Sequence, residues 1–306
     1  MDRQREDMQF LDLFGIYQES YKIIFNFRRT FSKITLAFIL PLSLIFLANI
    51  AVSDSLSSER AAFWLVEFVY LTFLLVFSVL SASAVVYTVA SVLTGCDVTF
   101  GKVMRVVPMV SKRLVVTFLC AFLSIFLYNV VLVPIILWIV TINHFDISAI
   151  VFLLALVILY VVGLVYLTVV CQLAGVVSVL EDIKGIKAMT KSRNLMQGKM
   201  WIAIVILLML NFALLGIRAL FESQVVHAGL FGFVGRLAFG FLCLLMLSGV
   251  FLFAIVIETV IYFVCKSYHH ENIDKLSLSD HHDEVCQVEF VPVIKVNDDQ
   301  LEKFDV

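Results

Sequence analysis

Residues 147–180, ISAIVFLLALVILYVVGLVYLTVVCQLAGVVSVL, run for 34 positions without one charged side chain. A helix rises about 1.5 Å per residue and a bilayer's hydrocarbon core is about 30 Å thick, so about 20 apolar residues cross it. The run exceeds that need and predicts a spanning helix that tilts, projects beyond the membrane or bends near Gly163. Five more segments qualify: 34–53, about 68–93, 114–143, about 200–217, and 237–265 with Glu258 near its inner end. The chain is 62% hydrophobic and 15% charged, against about 45–50% and about 25% in soluble domains. The predicted fold is all-α: a polytopic transmembrane bundle of six spans with short cytosolic interfacial amphipathic helices.

Direction follows from the cations of the loops. The segments 1–33, 94–113 and 181–199 carry 15 Lys and Arg in about 72 residues. The opposite connections carry Arg60, Arg218 and Arg236 in about 35. This bias predicts both termini in the cytosol. The net charge of −2 is uninformative because the signs are segregated by region. No hydrophobic leader core occurs in the first 33 residues, so no cleaved signal peptide is expected. The expected division is a cytosolic amphipathic segment (1–33), a six-span domain (34–265) and a polar, acidic, disordered cytosolic tail (266–306).

Each odd-numbered span has a similar prelude: ESYKIIFNFRRTFSK, TFGKVMRVVPMVSKR and GIKAMTKSRNLMQGK. In each, a lysine among aliphatics (Lys22, Lys102, Lys187) precedes by 11 or 12 residues a cation at the span mouth (Lys33, Arg113, Lys199). The pattern reads as three copies of one unit: interfacial helix, span, short outer turn, span. In the first prelude Phe10, Phe14, Tyr17, Tyr21, Ile24 and Phe25 form an apolar stripe. In the third, Ile183, Ile186 and Met189 form one beside a basic stripe of Lys184, Lys187 and Lys191, with Asp182 capping the start and Gly198 ending the helix before Trp201. The expected contacts with anionic headgroups are Lys22, Arg28, Arg29, Lys33, Lys102, Arg105, Lys112, Arg113, Lys184, Lys187, Lys191 and Lys199.

The stretches FGIYQESYKIIFNFRRTFSKITLAFILPLSLIFLANI, VVSVLEDIKGIKAMTKSRNLMQGK and VIYFVCKSYHHENIDKLSLSDH carry a resemblance over nearly the whole chain. The sequence resembles a family of plant multi-pass membrane proteins of unknown activity, sometimes labelled poly(A)-binding-protein-binding proteins. That resemblance implies membrane residence and six spans, and offers no catalytic residues. Ala188, Ser192, Leu195, Gly198 and Lys199 also look like the membrane region of some bacterial glycerophosphodiester phosphodiesterases. That likeness covers no catalytic domain and implies no activity. The tail departs from the plant family, with EFVPVIKV and an acidic extension where relatives tend to end near Tyr-Val-Pro-Leu.

Motifs that carry chemistry are scarce. GCDVTFGKV has five residues between its glycines and Val103 after the lysine, where a phosphate loop needs four and a Ser or Thr. The six cysteines show no CxxC spacing, and neither a disulfide framework nor a zinc cluster is indicated. His269, His270, His281 and His282, among acids, offer zinc-binding chemistry, weighed against a solvated tail. Cys265 beside Lys266 is either an acylation site or a plain interfacial thiol. Asn49, Glu67, Asn129, Gln172, Asn211, Arg218 and Glu258 are the polar residues within the spans, with Asn129 and Asn211 deepest. No enzyme, cofactor or nucleic-acid partner is expected. The working expectation is a non-enzymatic role in membrane organisation or trafficking, with protein partners at the tail. The rival is a small-solute transporter or channel.

Overall fold

The computed structural model describes residues 13–55, 60–95, 99–142, 147–226 and 232–268, and every element among them is helical. In order these are α1 (Leu13–Asn26), α2 (Arg28–Ile34), a π-helical turn (Thr35–Ile39), α3 (Leu40–Ser55), α4 (Arg60–Leu93), α5 (Phe100–Ile142), α6 (Ile147–Leu180), α7 (Ile186–Leu195), α8 (Met200–Phe221), a second π-helical turn (Glu222–Val226) and α9 (Phe233–Tyr268). Six stretches are long and apolar enough to cross a membrane: Arg28–Val52, Trp64–Leu93, Phe100–Ile139, Val151–Leu180, Met200–Val226 and Val234–Tyr268. A helix bonds its own backbone groups, which lipid cannot do for it. The chain is therefore a multi-pass membrane protein built as an all-α bundle.

α9 is the hub, packed against α1, α3, α4, α6, α7 and α8. Burial is concentrated at one end, here termed basal: Val79–Ser91 of α4, Val103–Thr117 of α5, Val169–Leu180 of α6 and Val256–Ser267 of α9. The distal halves open outward, exposing Phe122, Leu127 and Trp138 of α5 with Phe152 and Leu159 of α6. In lipid an exposed leucine costs little, and cohesion comes from close packing and interhelical hydrogen bonds. The basal part of α4, SASAVVYTVAS, suits that rule. Its Ser83, Thr88 and Ser91 hydroxyls donate back to the carbonyls of Val79, Ala84 and Tyr87 at 2.7, 2.7 and 2.9 Å. Small side chains with internally satisfied hydroxyls let neighbouring backbones approach.

The distal α5–α6 pair is held by a tyrosine lock. Tyr128 and Tyr160 stack at 5.7 Å between centroids. The Tyr160 hydroxyl donates to Asn129 Oδ1 at 2.6 Å, and Tyr128 donates to the Tyr160 carbonyl at 3.0 Å. A Cβ at Gly163 would collide with the Tyr128 hydroxyl, so the glycine makes room for this ring. α6 is one uninterrupted helix through that point. Prolines cause the first irregularity: Pro41 lacks an N–H and follows two residues after the π-helical turn, a device that re-routes freed carbonyls.

The preludes differ from their predicted form. The second is no separate interfacial helix: it runs straight into its span within the 43 residues of α5, with Pro108 inside. In the first, the buried face is Ile16, Ser20 and Ile23, while Phe14, Tyr21 and Phe25 of the expected stripe are exposed. Tyr17 packs on Phe253 of α9 at 5.8 Å between centroids. A helix with protein on one side and lipid on the other is apolar on both, so periodicity alone could not choose the inner face. One register is common to all three copies. The residue after the lysine is buried each time: Ile23, Val103 and Ala188.

Candidate functional site

α7 lies across the basal end against α5, α6 and α9. It starts later than predicted. Asp182 does not cap it; Gly185 occupies the N-cap position with φ +64°, and no side chain caps the helix. The Asp182 carboxylate pairs with Arg113 of α5 instead. The buried face is Ala188, Ser192 and Leu195; of the expected stripe, Ile183 and Met189 are half-buried against the core, while Ile186 is 72% exposed. The cause is steric. Ala188 and Ser192 are small enough for α7 to seat closely on α6, where Ser192 Oγ donates to the Val170 carbonyl at 3.0 Å.

A polar knot fixes this seat. Glu181, just past the end of α6, is 7% exposed and accepts from three groups. The Lys191 ammonium of α7 lies 2.6 Å from its Oε2. The Tyr262 hydroxyl and the Lys266 ammonium of α9 lie 2.6 and 3.2 Å from its Oε1. Lys266 also donates to the Tyr262 hydroxyl at 3.3 Å and is 8% exposed. Burial alone pushes the Glu181 carboxyl upward. Hydrogen bonds from Lys191 and Tyr262, with the charges of Lys266 and Lys191, outweigh it and hold the group below its ordinary 4.5. The site thus keeps a buried carboxylate ionised among two ammoniums. A second tether lies beside it: the Gly185 N–H donates to Thr117 Oγ1 at 3.0 Å, and Thr117 donates to Ser178 Oγ at 2.9 Å.

The anticipated headgroup cations gather at the basal end with unequal freedom. Lys22 pairs with Glu19 at 3.3 Å, and Arg28 sits over the Phe25 ring. Lys199 sits over the Tyr268 ring, while Arg113 and Lys191 are held by Asp182 and Glu181. Arg29, Lys33, Arg105, Lys112, Lys184 and Lys187 are exposed, and Lys102 is half-buried. Sequence reasoning missed Glu181, Tyr262, Lys266, Thr117 and Ser178 as parts of this site, and Arg193 is a further exposed cation of α7. One signal was available: Tyr262 and Lys266 are four apart, so they share a face of α9.

Outside α7, the deep asparagines Asn129 and Asn211 donate to the carbonyls of Ile125 and Leu207 in their own helices, each at 2.8 Å, and Asn129 also accepts from Tyr160 of α6. Tyr70 hydrogen-bonds Asn49 and lies in the fields of Glu67 and Arg218, so α3, α4 and α8 bring four polar residues together distally. Cys265 is 1% exposed and closed to an acylating enzyme. The histidine pairs and the rest of the tail, 269–306, lie outside the described residues. Among the described residues no cluster of metal-ligating side chains occurs.

A family model described as a domain of unknown function (DUF8558) matches residues 1–59 and 51–304. The chain belongs to that family. No curated protein matches it. No solved structure matches it. The DUF8558 architecture described above therefore stands on its own geometry, with no relative's activity to transfer.

Proposed function

We propose that the basal end of this DUF8558 protein faces the cytosol and that its basic residues engage anionic headgroups, serving membrane organisation or trafficking without catalysis. The observation that carries this reading is the seating of α7. The helix is bolted to three spans at the level where α6 ends and α8 begins, yet turns Lys187 and Arg193 outward, with Lys184 exposed just before it. Each Lys or Arg near an anionic surface contributes about 1 kcal/mol of attraction. Trp201, 79% exposed at the first turn of α8, reports on the adjoining lipid.

The test uses the full chain in nanodiscs with Trp64 and Trp138 replaced by Phe, leaving Trp201 as reporter. Brominated phosphatidylserine should quench Trp201 more than brominated phosphatidylcholine at equal mole fraction. Lys184, Lys187 and Arg193 all changed to Gln should equalise the two. Equal quenching in the unmodified chain would sink the reading. A small-solute pathway is the second reading, favoured by the distal group of Asn49, Glu67, Tyr70 and Arg218. Ion flux into proteoliposomes that Glu67→Gln abolishes would decide for it.

A further inference from the structure

The outward face of α7 bears an open cleft of about 630 Å³, lined by the polar Lys187, Thr190, Lys191, Asn194 and Gln197 and the apolar Ile186 and Leu195. We propose that this cleft binds the headgroup of a phosphorylated inositol lipid, a specialisation that rests on the headgroup-contact reading above. Three features select that class.

The first is fixed positive charge. Lys187 and Lys191 are one turn apart, which places their Cβ atoms about 5–6 Å from each other. Lys191 is pinned 2.6 Å from Glu181, and that one carboxylate also takes Lys266. Two ammoniums share one carboxylate, so the knot keeps a net positive charge behind the cleft. A phosphate monoester carries about −1.5 to −2 at pH 7, more than the single charge of a phosphodiester.

The second feature is what the lining lacks. None of the residues lining the cleft is acidic. Choline, ethanolamine and serine headgroups each carry an ammonium or quaternary nitrogen, which would meet lysines with no facing carboxylate. An inositol ring carries only hydroxyls and phosphates, and the amides of Asn194 and Gln197 can donate to either.

The third feature ties the ligand to the membrane. Ile186, exposed and apolar, borders the cleft, and Trp201 follows at the foot of the next span. Both suit acyl chains. A soluble inositol phosphate would leave them idle.

The experiment measures hydrogen exchange of the full chain in phosphatidylcholine nanodiscs carrying phosphatidylinositol 4-phosphate or, at matched total charge, phosphatidylserine. The inositol lipid should protect amides in 186–197, with half-protection needing about fivefold more lipid in Lys187→Gln, the factor expected for one lost cation. Asn194→Ala should weaken protection as well, and phosphatidylserine should protect little. Equal protection by phosphatidylserine would overturn the selectivity while leaving general headgroup contact standing. Protection by neither lipid would overturn both. Equal protection by water-soluble inositol 1,4-bisphosphate would overturn the membrane source of the ligand. No change in either variant would remove the cleft from the binding site.

Discussion

Glu181 ties the basal end together, because the end of α6 meets α7 and α9 on its two oxygens. Removing one partner of a buried pair typically costs about 3–5 kcal/mol, since the remaining charge stays desolvated. Glu181→Gln leaves Lys191 and Lys266 without their counter-ion, and an apparent loss of about 3 kcal/mol is expected in thermal unfolding in detergent. The same residue sets an acid limit. Its carboxyl is held below the ordinary 4.5 in the fold. A depressed folded value contributes stability above the unfolded value, and that contribution disappears as pH falls through the folded value. Midpoints should therefore be level in this respect from pH 7 to about 5 and decline in more acid buffer. Glu181→Gln should flatten that decline. An unchanged slope in the variant would show that other carboxylates govern it.

At the scale of elements, α7 is positioned by its ends as much as by its face. Thr117 joins the Gly185 N–H to Ser178 inside the protein. Thr117→Val keeps the shape but strands that N–H, a loss of about 1–3 kcal/mol. Hydrogen exchange should quicken selectively in 185–197, and a uniform rise over the whole chain would contradict the tether. The other end is set by Gly198, whose φ is +99° and whose added Cβ would stand 2.7 Å from the Tyr268 ring. Gly198→Ala meets both the backbone strain and the ring, at about 1–3 kcal/mol. Adding Tyr268→Ala should recover only part of this, readable in a double-mutant thermal series. These contacts explain what was legible in the third prelude. A glycine that ends the helix could be read from its place before Trp201. The inner face could not, because Ala188 and Ser192 are weak hydrophobic signals whose value lies in their size. Lys191 looked like a surface cation because its counter-ion, Glu181, sits ten residues back on another element.

For the whole molecule, length and apolarity dictated six spans, and the bundle has them. Less legible was how the two ends differ. A soluble helix reveals its inner face by polarity on the other side, but lipid removes that contrast. Nothing in the residues of α5 announced that its basal turns would be packed at Val103, Val107 and Leu114 while Phe122, Leu127 and Leu137 lay exposed. The basal end concentrates fixed charge, tethers and glycine-shaped turns, whereas distally the tyrosine lock joins α5 to α6 and a smaller core of Leu47, Phe221, Cys243 and Leu247 joins α3, α8 and α9. That asymmetry makes direction in the bilayer the property on which the proposed function turns. Lys187 and Thr141 are both exposed, at the basal end and near the distal end of α5 respectively. Single cysteines there, with native thiols replaced by serine or alanine, should label from opposite sides of a sealed membrane. In intact cells a membrane-impermeant maleimide should reach Lys187→Cys only after the plasma membrane is selectively permeabilised. Thr141→Cys should require a further agent that opens internal membranes, or react at once if the protein resides at the cell surface. Labelling of both positions from one side would contradict an odd number of crossings by α5. The reverse pattern would place the basic end outside the cytosol, away from the anionic leaflet on which the proposed headgroup contact depends.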